Sequence, residues 1–154
     1  MPRFRLVAMG GTFDVIHAGH MALLREAFSV SSKVIIGLTS DEFAAKRGKK
    51  LWHTYAQRHD SLKSLVEKTF PEKSCIISKL DNDFGPAVLE QSVEALIVSE
   101  ETAHQGNILN QLRAQRSLAP VQVISVPMIL ADDGSKISST RIRNSEIDAS
   151  GKLL

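Results

Sequence analysis

Residues 9–20 read Met9-Gly10-Gly11-Thr12-Phe13-Asp14-Val15-Ile16-His17-Ala18-Gly19-His20, with an apolar run, Phe4 to Met9, leading into them. Two glycines at a strand end let backbone and ligand approach closely, and Thr12 adds a hydroxyl. His17 and His20 stand three apart. On the first turn of a helix continuing through Met21 to Phe28 they project from one side, beside N–H groups that favour an anion. The stretch reads as a phosphate cradle. No Gly-Lys-Ser/Thr follows and Gly-x-Gly-x-x-Gly is absent, so neither the Walker loop nor the dinucleotide fingerprint applies. A catalytic zinc site wants three protein ligands, and beyond Asp14 there is no Cys or acidic residue beside the two histidines, so no metal ligands are assigned.

Working outward, Phe4 to Met9, Lys33 to Leu38, Ser74 to Ser78, Ala95 to Val98 and Val121 to Val126 are candidate strands, rich in Val, Ile and Leu without strict polar alternation. Strands of that kind are covered on both faces. The intervening His20 to Val30, Tyr55 to Phe70, Pro86 to Ser92 and Thr102 to Ser117 have helical length or periodicity. In Tyr55 to Phe70 the apolar Leu62, Leu65 and Val66 recur at three-to-four spacing, leaving Arg58, Lys63 and Lys68 for solvent. Strand and helix in alternation imply right-handed crossovers and a five-stranded parallel sheet with helices on both faces. The expected fold is α/β and Rossmann-like, with ligands at the carboxyl ends of the strands. One domain over 1–154 is expected, with Gly134 to Ser139 and the tail 149–154 loosely packed.

Near the other end, Asp132-Asp133-Gly134-Ser135-Lys136-Ile137-Ser138-Ser139-Thr140-Arg141-Ile142-Arg143 places three consecutive hydroxyl residues before a short helix. Ser138 or Ser139 can cap it, while free N–H groups and Arg141 face a common anion. This is a second phosphate grip. Between the two grips, the basic run Lys46-Arg47-Gly48-Lys49-Lys50 follows the second strand, where it is either a solvated face or a site for a phosphate monoester. Arg58 lies near a helix N-terminus, where the dipole disfavours a cation unless an anion compensates.

The first loop, with Gly-x-Phe-Asp and His-x-Gly-His, resembles the nucleotidyltransferase superfamily related to class I aminoacyl-tRNA synthetases. Ile137-Ser138-Ser139-Thr140-Arg141-Ile142-Arg143 looks like that superfamily's second signature. Two further stretches, Asp81-Asn82-Asp83-Phe84-Gly85-Pro86 and Val98-Ser99-Glu100-Glu101-Thr102, narrow the resemblance to the phosphopantetheine adenylyltransferases of archaeal and eukaryotic type. It runs from about Leu6 to Asp148. One departure is that His53-Thr54 precede Tyr55 where the family pattern has a proline.

The resemblance implies a nucleotidyltransferase fold and transfer of AMP from ATP to 4′-phosphopantetheine, giving dephospho-coenzyme A and pyrophosphate in coenzyme A synthesis. His17, His20, Thr12 and Arg141 would be catalytic. Gly10, Gly11, Phe13, Asp14, Gly19, Lys136, Ser138, Ser139 and Thr140 would bind nucleotide. Glu100 and Thr102 read equally as adenosine neighbours or as capping groups of the next helix. Thr12 would orient the acceptor phosphate with one of Lys46, Lys49 and Lys50, and Arg58 joins them as a candidate. Mg2+ would arrive on the phosphates of ATP. Related transferases with flavin mononucleotide and ATP, or glycerol 3-phosphate and CTP, are the nearest alternatives, and a catalytically silent nucleotide sensor is a third.

Composition narrows the rest. The 154 residues are 43% hydrophobic and 23% charged, an ordinary globular balance for one core. The net charge of +2 and 5% aromatic content supply neither the basic face nor the stacking platforms of a nucleic-acid binder. No stretch approaches ~18 apolar residues and none reads as a secretory apolar segment, so no membrane partner and a cytoplasmic location are expected. Cys75, the single cysteine, reads as a small packing residue, and Trp52 as a packing aromatic. A monomer or small homo-oligomer is expected, with no feature of the sequence choosing between them.

Overall fold

The structure, a computed structural model, describes residues 3–85 and 91–154. Its strands are β1 (Val7–Gly11), β2 (Lys33–Thr39), β3 (Ser74–Leu80), β4 (Ala95–Ser99) and β5 (Gln122–Val126). The helices are α1 (Ala18–Val30), α2 (Asp41–Lys46), α3 (Tyr55–Thr69), α4 (Gln105–Gln115) and α5 (Ser139–Arg143), with a 3-10 turn at Glu100–Thr102. The strands pair in parallel in the order β3-β2-β1-β4-β5.

Side chains of β1, β2 and β4 alternate between two cores, which is why those strands are so apolar, whereas the edge strand β3 packs Cys75 and Ile77 on one face only and leaves Ile76 43% exposed, against the expectation of cover on both faces. Val7, Met9, Val34, Ile36 and Ile97 pack beneath α1 and α3 with Leu24, Phe28, Leu62 and Val66. Leu6, Ala8, Ile35, Leu96 and Val98 turn the other way to meet Leu109 of α4 and Val121. The expected α/β fold with helices on both faces is what the chain adopts. Chain order reverses between β1 and β4, so their carboxyl ends open the crevice where such sheets bind ligands.

Several boundaries differ from the sequence reading. β1 begins at Val7, because Phe4 makes only an isolated bridge to Ser31, and it continues into the glycines, where Gly10 and Gly11 pair with Gly37 and Leu38. The basic run is preceded by a helix, α2, whose N-cap is Ser40, with Asp41 and Glu42 in its first turn. That Ser-Asp-Glu start signal lies ahead of the lysines. Of the expected helix Pro86 to Ser92, residues 86–90 lie outside the described residues, and Gln91 and Ser92 form a turn. At the C-terminus, Ala18 donates to the Ala149 carbonyl (3.0 Å), Asp132 to that of Gly151 (2.9 Å), and Ile147 bridges Leu153. Residues 149–151 are thus tied down, and Ala131, Ile137 and Ile147 form a small third core beside them.

Candidate active site

Turning β1 into α1 takes an unusual backbone. Phe13 has φ +50°, a left-handed conformation that a bulky residue adopts only when its surroundings over-determine it. Here the ring is buried and lies 4.6 Å from the His20 ring, folding back over the strand end. A Cβ on Gly11 would sit 2.9 Å from that ring, so the second glycine is needed for the turn.

His17 is the N-cap of α1, and the two histidines form a reciprocal capping box. The Gly19 amide donates to His17 Nδ1 (3.0 Å) and the His17 amide to His20 Nδ1 (3.2 Å), with the rings stacked at 3.8 Å. A Cβ on Gly19 would lie 2.9 Å from the His17 ring, which explains the glycine inside His-x-Gly-His. Because each Nδ1 accepts, each neutral ring carries its proton on Nε2. Burial pushes His17 down to about 4. Burial, then the neighbouring His17 and Lys49, push His20 down to about 3. Both rings are therefore neutral donors at pH 7.

The two distant signatures meet. Ser139 Oγ donates to the Val15 carbonyl (2.9 Å), and Arg143 Nη1 reaches an Asp14 oxygen at 2.6 Å. Together they border a cleft of about 600 Å³ whose walls include Thr12, His17, His20, Lys49, Lys136 and Arg143. Gly10, Gly11, Phe13, Asp14, Gly19, Thr102, Ser138, Ser139 and Thr140 also line it. Ser138 caps α5, its oxygen accepting from the Arg141 amide at 3.2 Å.

Arg141, expected to face the anion, does not line the cleft. It is occupied by Asp133 and Glu146 and by the Lys136 carbonyl, 2.9 Å away. Helical spacing gives the reason: Arg143 follows Thr140 by three and Ser139 by four and shares their face, whereas Arg141 does not. Arg143, like Arg47 and Glu101, lines the cleft without having been expected there, and for Arg143 the spacing from Ser139 and Thr140 is the signal. Glu100 is likewise absent from the lining: it accepts the Met128 amide at 2.8 Å, and its neighbour Glu101 faces the cleft and pairs with Lys136 at 2.8 Å. Thr102 bonds Ser99 at 3.1 Å, closing the 3-10 turn.

Of the three rival lysines, only Lys49 lines the cleft, with Nζ 3.3 Å from Thr12 Oγ1. Partial burial, then the charges of Arg47, Arg143 and Lys136, hold its pKa below the usual lysine value. Cations thus converge on one mouth, where an anion relieves their repulsion. Lys46 ends α2 and Lys50 follows the turn; all three lysines are exposed, but Lys46 and Lys50 stand outside the lining.

Arg58 overturns two expectations, solvent exposure and acceptor binding. Its side chain is 0% exposed, and its donors reach the carbonyls of Thr39 (2.7 Å), Thr12 (2.9 Å) and His53 (3.3 Å) and the Asp41 carboxylate (2.8 Å). The compensating anion at this helix start is Asp41. Trp52 is 58% exposed, not packed, and contributes its backbone amide to Asp14. Burial raises the Cys75 thiol to about 11, leaving it unreactive.

Residues 8–145 match the family described as cytidylyltransferase-like. The chain is 40% identical over 152 residues to the phosphopantetheine adenylyltransferase of Methanothermobacter thermautotrophicus, covering 99% of this chain and 91% of that one. It is 40% identical over 153 residues to the protein of that name from Pyrococcus horikoshii, covering 98% and 96%. Among solved structures, a protein of unknown function from Archaeoglobus fulgidus superposes with a TM-score of 0.70 at 29% identity, over 80% of this chain and 89% of that one. The tyrosyl-tRNA synthetase of the same organism shares the fold at a TM-score of 0.64 and 14% identity, over 90% and 60%.

Proposed function

The chain belongs to the cytidylyltransferase-like family, among the phosphopantetheine adenylyltransferases, and on that premise we propose how its cleft works. The reaction is adenylyl transfer from ATP to 4′-phosphopantetheine, giving dephospho-coenzyme A and pyrophosphate. A phosphate oxygen of the acceptor attacks the α-phosphorus of ATP in line, the new O–P bond forms, and the bond to the departing pyrophosphate breaks. The nucleophile is already anionic at neutral pH, so positioning and charge stabilisation carry the catalysis.

Lys49 and Thr12 hold the acceptor phosphate at one end of the cleft, and Arg47 adds charge to the same mouth. His17 and His20 donate from Nε2 to the phosphates of ATP as charge builds on them. The α5 N-terminus, with Ser139, Arg143 and Lys136, receives the pyrophosphate portion. The observation that carries this reading is the contact between the two signatures, Ser139 to Val15 and Arg143 to Asp14, on one cleft.

Mg2+ is part of the proposal as an ion brought in on phosphate oxygens and water. Among the described residues no group of three or more His, Cys, Asp or Glu side chains is placed to hold a metal. A cytoplasmic location goes with an ATP-consuming reaction. No described helix is long and apolar enough to cross a membrane. Both substrate sites come from one chain, which suits a monomer or a small homo-oligomer of independent centres.

The test is a pyrophosphate-release screen of ATP and CTP against 4′-phosphopantetheine, flavin mononucleotide and glycerol 3-phosphate. Release from ATP with 4′-phosphopantetheine is the expected result. Release from another pair alone would assign a different acceptor, and ATP binding without release from any pair would point to a sensor.

A further inference from the structure

We propose that Asp14 is a positioning residue that sets both substrate sites at once and touches neither substrate. Its side chain is 1% exposed, and both oxygens are committed. Oδ2 accepts from the Trp52 amide (3.0 Å) and from Arg143 Nη1 (2.6 Å). Oδ1 accepts from the His53 amide (3.0 Å) and lies 3.1 Å from His53 Nδ1, which is also 2.8 Å from the Asp14 carbonyl. Since both neighbours of that ring nitrogen are acceptors, it is the donor to each. An ionised carboxylate has about four lone-pair sites, and four donors fill them here, leaving none for nucleotide or acceptor.

The donors come from two segments of the chain that are far apart in sequence. Arg143 belongs to α5, on the pyrophosphate side. Trp52 and His53 belong to the segment that carries Lys49, three residues upstream of Trp52. Thr12, two residues before Asp14, meets Lys49 at 3.3 Å, so the segments 12–14 and 49–53 are joined by two rungs, Thr12 to Lys49 and Asp14 to Trp52 and His53. Arg143 is then fixed to the same carboxylate by a charge-assisted bond. Burial alone would raise the Asp14 pKa, but the Trp52 and His53 amides, the His53 ring and Arg143 outweigh it and hold the carboxyl below its usual value. The clasp is therefore ionised throughout the neutral range.

The inference rests on the adenylyl-transfer reading, and the experiment separates the two. In Asp14→Asn the charge that holds Arg143 is lost, and the NH2 group faces a donor of the 52–53 segment at whichever oxygen it replaces, so both sides of the clasp weaken. Steady-state kinetics should show KM rising for ATP and for 4′-phosphopantetheine together, each by on the order of 10-fold, less than the ~10²-fold that a 1 Å misplacement can cost. Arg143→Ala should move the ATP KM alone and Lys49→Ala the acceptor KM alone. A shift of only one KM in Asp14→Asn, or unchanged KM values with a lowered Tm, would overturn the proposal. Should that variant not fold, His53→Ala, at a ring 44% exposed, releases the acceptor side only. A raised acceptor KM with the ATP KM kept supports the clasp, and an unchanged acceptor KM refutes it. Wild-type protein that consumes no 4′-phosphopantetheine would instead remove the functional reading and this inference with it.

Discussion

His17 and His20 perform two tasks with opposite ends of their rings. Each Nδ1 completes the cap of α1, and each Nε2 is left as a donor at the cleft. Both tasks require the neutral ring. In the unfolded chain a histidine titrates near ~6.5, whereas burial places these two at about 4 and about 3 when folded. Between those values the unfolded chain binds more protons, so stability rises with pH across this window and levels off above it. Urea unfolding at pH 5.5 should show lower stability than at pH 7.5, by ~1 kcal/mol for each ring. His17→Asn keeps a capping oxygen without the titration and should narrow the gap. Equal midpoints at the two pH values for wild type would contradict the assignment.

The element that most changes the reading is α2, a helix of six residues that begins Ser40-Asp41-Glu42. It fixes the register of the basic run, bringing Lys49 to Thr12 at the cleft and leaving Lys46 and Lys50 outside it. Lys49→Ala should therefore raise the KM for the acceptor by roughly 10-fold, while Lys46→Ala and Lys50→Ala, outside the cleft, stay within about threefold. Equal small effects from all three would remove this loop from the acceptor site. Arg58 shows the same dependence on neighbours: it ties the ends of β1 and β2 to the starts of α2 and α3 through three carbonyls and Asp41. Arg58→Met leaves those carbonyls without partners and should cost on the order of 3 kcal/mol in urea unfolding. Wild-type stability with a raised acceptor KM would return Arg58 to the substrate.

For the whole molecule, the parallel sheet was readable because two-sided burial leaves continuous apolar strands, and the two phosphate grips because glycine, histidine and hydroxyl spacings are local. What lay outside local pattern was partner choice. Arg141 and Arg143 look alike in sequence; Asp133 and Glu146 claim the first, and the shared face with Ser139 and Thr140 brings the second to the cleft. Buried Arg58 and exposed Trp52 depended in the same way on carbonyls and amides that only the fold brings near. The central claim is that segments 10–20 and 136–143 grasp one triphosphate together. Hydrogen exchange with and without a non-cleavable α,β-methylene ATP measures it directly, since amides slowed by ligand report the surfaces that close on it. Joint slowing of both segments, at the same ligand concentration, is the expected result; slowing of one with the other unchanged would contradict the account.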